Sequence, residues 1–553
     1  MSQKHFDFWP VGLPRNITAP ATNLFYNLEV SASRYPDKPY VIFFEQALTF
    51  GRFKDECERL AGFLQQDCGV APGDRVLLVM QNSPQFILSY YAILRANAIV
   101  VPVNPMSVTS ELEHYVQDSG AKIALVAQEV YSQIKPLIGA HLQHTIVAAY
   151  SDYINPATTL RMPEIVSAPR AAIADPDVTL WANALAAGRT PGPLTMGFED
   201  ICVIPYSSGT TGRPKGCMLT HHNVMHTAIC NSVWFSASAD HSQLVVLPFF
   251  HVTSMQGGMN APMYQGSTIV LMCRWDRDLA AELIQRYQLT SWTAISTMVI
   301  DFLANPKLSE YNLSTLYRVS GGGAAMPAAV GERLQALIGS PYIEGYGLTE
   351  TIAPTHMNPG TRPKRQCLGI PTFNTESKVI DPETLQELPQ GTVGEIVTHG
   401  PQVFQGYWRN PQATEAAFIR MDGKKFFRTG DLGYVDEDGY FFLVDRLKRM
   451  INCSGFKVWP AEVEAQMYQH PAIQEACVIA AKDAHRGETV KAVVVLRATH
   501  KGKVSEEEII EWTRQTMATY KHPRVIEFVD ALPKSATGKV QWRLLQEAEM
   551  ARA

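Results

Sequence analysis

The chain is 553 residues long, enough for roughly three to five small domains or two with one of them large. Hydrophobic residues make up 46% and charged residues 18%, which excludes a wholly disordered chain. Lys and Arg number 48 against 53 Asp and Glu, so the net charge is −5, without the basic excess that a nucleic-acid partner demands. Along the chain, Thr22 to Arg34 and Thr49 to Gln66 carry apolar residues at helical spacing, and Arg75 to Met80 is a short apolar run of the buried-strand kind. Phe86 to Val103 is the most apolar stretch. Arg95 and Asn97 interrupt it, so it reads as a helix leading into a buried strand and not as a membrane span. Lys122 to Ala127, Leu244 to Leu247 and Thr268 to Leu271 continue the alternation, which predicts an α/β architecture with largely parallel sheets. Tyr153 to Met196 is rich in Pro, Ala and Thr and reads as irregular surface connection.

After about Gly360 the texture changes to short strands with turn signals such as Asp436 to Gly439, predicting a β-rich subdomain. From about Lys448 it changes again, to helix over Ala461 to His470, strands over Ala476 to Ala480 and Lys491 to Leu496, and helix over Ser505 to Tyr520. Residues 447–553 hold 16 Lys and Arg against 13 Asp and Glu, while the remainder holds 32 against 40. The nine cysteines are scattered without a C-x-x-C pair, which argues against a zinc site or disulfide framework and for a reducing compartment. Residues 1–20 lack the basic start and apolar core of a secretory signal, and the last residues form no organelle address. The cytoplasm is therefore the expected location.

Six segments carry chemistry. Tyr206 to Gly216 packs Ser207, Ser208, Gly209, Thr210, Thr211, Gly212 and Lys215 behind the apolar Ile201 to Ile204. Glycines let backbone N–H groups turn inward, hydroxyls add donors and Lys215 adds charge, which is what a loop around a polyphosphate needs. It is not the Walker pattern, since Gly216 follows the lysine. Glu344 to Thr351 offers Gly345 and Gly347 for close backbone approach, Tyr346 as a flat face for a purine, and Glu350 as a hard oxygen ligand for Mg²⁺. Ser320 to Ala325 places three glycines after an apolar run. In Arg428 to Asp431 a fixed aspartate can accept from both hydroxyls of a ribose. Asp445 to Lys457 marks the texture change, and Pro533 to Lys539 puts a lysine on a glycine-containing loop. Taken singly, each is also what a tight turn or a solvated loop looks like.

Together, in this order and spacing, they resemble the adenylate-forming superfamily, which comprises acyl- and aryl-CoA synthetases, peptide-synthetase adenylation domains and firefly-type luciferases. The likeness runs from about Leu24 to Leu545 and is strongest to bacterial-type medium- or long-chain fatty acid–CoA ligases. It implies a large N-terminal domain of two α/β subdomains plus a β-rich subdomain, residues 1–447, and a small mobile C-terminal α+β domain, residues 448–553. It implies that Ser207 to Lys215 hold the β- and γ-phosphates of ATP. Gly322, Gly323 and Ala324, with Tyr346 and Gly347, line the boundary between adenine and acyl sites. Thr349 binds the α-phosphate, Glu350 the Mg²⁺, and Asp431, supported by Arg446, the ribose. Lys448 is the hinge, Gly455 and Lys457 belong to the face used in the thiol step, and Lys539 is the catalytic lysine. Arg449 stands where many members have an acidic or small residue.

The resemblance also places the acid pocket largely between the phosphate loop and Gly323. Trp234, His251, Met255, Gly257 and Met298 stand out there. A Met-rich wall with small residues suits a flexible alkyl chain, and Pro248 to Met263 contains no Arg or Lys for a second carboxylate. The implied activity is conversion of a medium- or long-chain fatty acid to acyl-AMP with release of pyrophosphate, then transfer to coenzyme A. An aryl acid, a carrier-protein acceptor or an inactive nucleotide-binding scaffold stay open as alternatives. So does a homodimer, while nucleic acid and a transmembrane span are not expected.

Overall fold

The structure is a computed structural model. It describes residues 4–207, 213–453, 456–483, 487–534 and 540–552, with backbone alone at Phe456 and Lys457. Packing gathers the chain into two compact units. The larger holds Ser2–Ser377 and Thr398–Phe427, and the smaller holds Lys378–Val397 and Arg428–Ala553.

The larger unit contains two sheets, each built mostly from parallel strands. In the first, Ile99–Pro102, Arg75–Val79, Ile123–Ala127, His144–Ala148 and Val178–Leu180 lie side by side, with Leu77 level with both Val101 and Ala124. Their near-continuous Val, Ile, Leu and Ala content follows from helices covering both faces. Helix Phe50–Gln66 starts where Thr49 accepts from the Arg52 N–H, and Pro84–Arg95 starts at Ser83, whose Oγ accepts from Phe86 N at 3.2 Å. The stretch expected to be irregular, Tyr153 to Met196, supplies the edge strand Val178–Leu180 and the helix Trp181–Ala186. Trp181 is buried and donates to the Tyr153 hydroxyl at 3.2 Å. Backbone ladder and one large ring outweigh the local Pro and Ala signal.

The second sheet runs in the order 370–371, 356–357, 343–346, 318–322, 291–293, 242–245, 268–271, 39–43 and 46–49. From Ile343–Tyr346 through Pro39–Phe43 the strands are parallel, and the outer ones are antiparallel. Helix His221–Trp234 opens on a reciprocal cap in which Thr220 Oγ1 accepts from Asn223 N at 3.2 Å and Asn223 Oδ1 from Thr220 N at 2.8 Å.

The smaller unit includes the paired strand residues Asp431 to Val435 and Phe441 to Arg446. It also includes the predicted C-terminal α+β elements: strands Ile473–Asp483 and Gly487–Leu496, with Cys477 level with Val493, helix Pro460–Met467, and helix Glu506–Thr516 behind a Ser505–Glu508 capping box. Ile451, Val458, Met467, Val478, Val494, Ile509 and Ile526 form its core. Residues 428–447 pack with this unit. Among the described residues no helix is long and apolar enough to cross a membrane.

Candidate active site

Parallel strands end together, and loops at their carboxyl ends converge on a ligand. Four adjacent strands of the second sheet do this with most of the expected residues. Tyr346 and Gly347 leave Ile343–Tyr346, and Gly322, Gly323 and Ala324 leave Arg318–Gly322. Met298 lies on the helix Ser296–Leu303 that follows Ser291–Thr293. His251, Met255 and Gly257 follow Ser242–Val245, where a short helix runs into a π-helical turn, Met255–Asn260. A Cβ on Gly257 would stand 4.0 Å from Thr293 Oγ1, so that turn faces the neighbouring strand. His251 is exposed and Met255 is fully buried.

The glycines between these strands have a steric reason. Gly322 is level with Gly345, and a Cβ on Gly322 would come within 2.2 Å of the Gly345 carbonyl oxygen. A Cβ on Gly347 would lie 2.8 Å from Ala353 Cα. The Tyr346 carbonyl accepts from Thr355 N at 2.8 Å, and the Tyr346 ring lies 5.6 Å from that of His356.

The described ends of the phosphate-loop segment pair in antiparallel fashion. Ser207 pairs with Lys215 and Tyr206 with Gly216. Ser208, Gly209, Thr210, Thr211 and Gly212 lie outside the described residues. On the other edge of the lysine strand, Gly406 and Tyr407 pair with Met218 and Cys217. This puts the Lys215 ammonium 4.8 Å from the centre of the Tyr407 ring. The Tyr407 hydroxyl donates to Glu350 Oε1 at 2.9 Å, and the Glu350 carbonyl accepts from Phe404 N at 2.9 Å. Burial first, and then the Glu350 charge, hold the Tyr407 phenol well above its ordinary pKa, so it stays a donor. Lys215, Tyr407 and Glu350 thus form one connected set, with Thr349 beside Glu350 in the turn Thr349–Thr351.

Tyr407 has no place among the sequence candidates. Its signal was the aromatic pair Tyr407–Trp408 behind Gly406, a cue too short to assign without knowing that the segment adds an edge strand beside Lys215. Trp234 stands apart from the strand ends. It closes the helix before Ser242–Val245, is buried, and donates through Nε1 to the Asn358 carbonyl at 3.2 Å.

In the smaller unit Asp431 lies opposite Arg446 in an antiparallel pair, and Arg446 Nε reaches Asp431 Oδ1 at 2.9 Å. Asp431 is 1% exposed, and Thr429 Oγ1 accepts from its N–H at 3.1 Å. Glu395 accepts from Arg428 Nε at 3.0 Å and from Gly430 N at 3.2 Å, fixing the turn that presents the aspartate. Lys448 sits in the turn Leu447–Arg449. The unexpected Arg449 is half-buried between Glu464, to which it donates, and Asp445 at 3.6 Å, so its charge is paired locally. Lys457 lies on the strand Phe456–Val458 opposite Asn452. Gly455 and Lys539 lie outside the described residues. The segment holding Lys539 is bracketed by a Lys534–Val540 bridge and by Gln541 N donating to the Pro533 carbonyl at 2.8 Å.

Among the described residues no group of three or more His, Cys, Asp or Glu side chains could cage a metal. A single carboxylate such as Glu350 fits Mg²⁺ that arrives on nucleotide phosphates and keeps most of its other ligands.

Comparison with known proteins adds four findings. The chain is 34% identical to a long-chain-fatty-acid–CoA ligase of Bacillus subtilis (strain 168) over 98% of this chain and 97% of that one. It is 33% identical to a feruloyl-CoA synthase of an Amycolatopsis species, over 89% of this chain and 92% of that one. Its fold matches the ATP-bound crystal structure of MatB from Rhodopseudomonas palustris with a TM-score of 0.81 at 27% identity, covering 95% and 98% of the two chains. Residues 28–408 match the family described as AMP-binding enzyme and residues 462–539 its C-terminal domain, and the chain belongs to that family.

Proposed function

We propose that this AMP-binding enzyme joins a carboxylic acid, preferentially a medium- or long-chain fatty acid, to coenzyme A at the expense of ATP. The acid displaces pyrophosphate to give acyl-AMP, and the CoA thiol then displaces AMP. The observation that carries the reading is the joining of Lys215 and Glu350 through Tyr407, in the same unit as the glycine-lined strand ends that hold Tyr346.

A carboxylate repels nucleophiles, and it must also approach an α-phosphate that is already negative. Charge has to be spread before the bond forms. In this reading Ser207 to Lys215 hold the β- and γ-phosphates, Thr349 the α-phosphate, and Glu350 a Mg²⁺ that neutralises phosphate charge. Tyr407 keeps the Glu350 carboxylate oriented. Asp431, paired with Arg446, takes the ribose hydroxyls, and Tyr346 with Gly322, Gly323 and Ala324 borders the base and the acyl group. Lys539 bridges the reacting charges in the first step. Turning about Lys448 withdraws it and brings Gly455 and Lys457 into the thiol step.

The Met-rich segment from His251 to Met259 supports an alkyl acid, as does the name of the Bacillus relative. The Amycolatopsis relative, named for feruloyl-CoA, is the observation that favours an aryl acid as the second reading. Both names support CoA over a carrier protein as acceptor, and intact Lys215, Glu350, Asp431 and Lys539 support an active enzyme over a scaffold. A cytoplasmic location completes the reading.

The test is pyrophosphate release with ATP and Mg²⁺ across acetate, octanoate, palmitate, benzoate, cinnamate and succinate, with and without CoA. Release with the fatty acids, made catalytic by CoA, is expected. Turnover confined to cinnamate or benzoate establishes the aryl reading instead, and release that stays near one equivalent despite CoA points to a carrier protein.

A further inference from the structure

A cluster of rings holds the segment before the first core helix. The 3-10 turn Lys4–Phe8 has no buried residue, and Val11 is 92% exposed. A chain terminus stays ordered only where something ties it down. Here Trp9 does so. Its ring meets Trp234 edge-on at 5.1 Å and Phe373 edge-on at 5.3 Å, while Trp234 and Phe373 meet each other at 5.5 Å. The Trp9 indole N–H donates to the Pro14 carbonyl at 3.0 Å, and Phe6 lies 5.3 Å from the Trp9 ring with the Arg15 guanidinium over it at 4.5 Å. Downstream, Ile17 N donates to Asn374 Oδ1 at 2.9 Å, next to Phe373.

Trp234 is the last residue of the helix His221–Trp234, which packs along the π-helical turn holding Met255 and Gly257. Fourteen residues of helix extend about 21 Å. The helix leads into the amino end of Ser242–Val245, while His251 and Gly257 follow that strand's carboxyl end. An acid whose carboxylate sits at the strand ends and whose tail follows this helix therefore meets Trp234 last.

We propose that Trp9 closes the far end of the acid pocket by backing Trp234, so that the amino-terminal segment sets the longest straight-chain acid the enzyme accepts. The inference rests on the acid-ligase reading and on Trp234 belonging to the pocket. With Trp9 in place the Trp234 indole is held by the Trp9 and Phe373 rings and by its bond to the Asn358 carbonyl. Without it the indole keeps only Phe373 and the Asn358 bond, gains room on the side Trp9 filled, and the pocket lengthens there.

The experiment measures kcat/KM for saturated acids from hexanoic to icosanoic in full-length wild type, Trp9→Ala, Trp9→Leu and Trp234→Ala. Trp9→Ala is expected to raise kcat/KM about tenfold for the first homologue beyond the wild-type optimum, the lower end of what one methylene is worth in a closed pocket. KM for ATP should stay put, a split that general loosening would not produce. Trp9→Leu, which keeps an apolar contact and guards against a folding defect in the alanine variant, should shift the profile in the same direction by less. A moved profile in Trp234→Ala with unmoved profiles in both Trp9 variants overturns the role of Trp9 and leaves the pocket reading intact. Unmoved profiles in all three variants overturn both this inference and the place of Trp234 in the pocket. Wild type without acid-dependent pyrophosphate release overturns the ligase reading and this one with it.

Discussion

The Tyr407 hydroxyl donates a 2.9 Å hydrogen bond to Glu350 Oε1. The same ring carries the Lys215 ammonium 4.8 Å from its centre, so one side chain orients the acid and the base expected to meet the phosphates. The two contacts can be separated by mutation. Tyr407→Phe keeps the ring and removes the hydrogen bond, and Tyr407→Ala removes both. A hydrogen bond to a charged group contributes about 1.5–3 kcal/mol. Tyr407→Phe should therefore lower kcat/KM for MgATP roughly 10- to 100-fold, and Tyr407→Ala should lower it further. Equal losses in the two variants would show that the ring plays no part in holding Lys215.

Lys539→Ala should slow acyl-AMP formation by about 10²–10³, the cost of losing one donor aimed at developing charge. Attack of CoA on supplied acyl-AMP should survive. Single-turnover measurement of each half-reaction checks this, and an equal loss in both would remove the assigned role.

Asp431→Asn removes the carboxylate charge that Arg446 Nε reaches at 2.9 Å, and with it the charged acceptor proposed for the ribose. Because the Arg446 side chain is 45% exposed, water can take over the guanidinium, so the fold should hold. ATP affinity, measured by calorimetry, should fall about tenfold or more. Unchanged affinity would place the ribose elsewhere.

Gly322→Ala drives a methyl group into the Gly345 carbonyl, with 2.2 Å available. Neighbouring strands would have to part, at a cost of about 1–3 kcal/mol. Thermal unfolding should show a lower Tm, and ATP-dependent turnover should drop more steeply than stability, because Tyr346 is carried on the displaced strand.

Stability should fall as pH drops from about 6.5 towards 4. Burial lowers the pKa of both His221 and His226 to about 4. In that window the unfolded chain binds protons that the folded chain refuses, so acid favours unfolding by about 1.4 kcal/mol per pH unit for each such histidine. His221 also accepts through Nδ1 from Leu24 N at 3.1 Å, a bond that protonation at Nδ1 would break. His221→Asn offers an amide oxygen in that place without titrating. Its unfolding free energy, followed by urea titration from pH 7 to pH 4, should decline less steeply than that of wild type.

Local patterns made most of the elements legible. The helical spacing of Thr49 to Gln66 and of Ser505 to Tyr520 is met by helices Phe50–Gln66 and Glu506–Thr516, and Thr268 to Leu271 is a strand as its apolar run indicates. The order of the motifs was enough for the family, because a phosphate loop, a Tyr-Gly-Leu-Thr-Glu turn and a Thr-Gly-Asp turn each depend on residue types a few positions apart. Tertiary structure decided what depends on distant pairing. Tyr407 reaches Lys215 only through an edge strand added from about 190 residues away, and the strand Val178–Leu180 is stabilised by its ladder to His144–Ala148 more than by its own sequence. The meeting of Trp9 with Trp234 is of the same kind. Helix caps and apolar periods are short-range and can be read along the chain, whereas ring packing and strand neighbours are set by which surfaces remain to be buried once the core has formed.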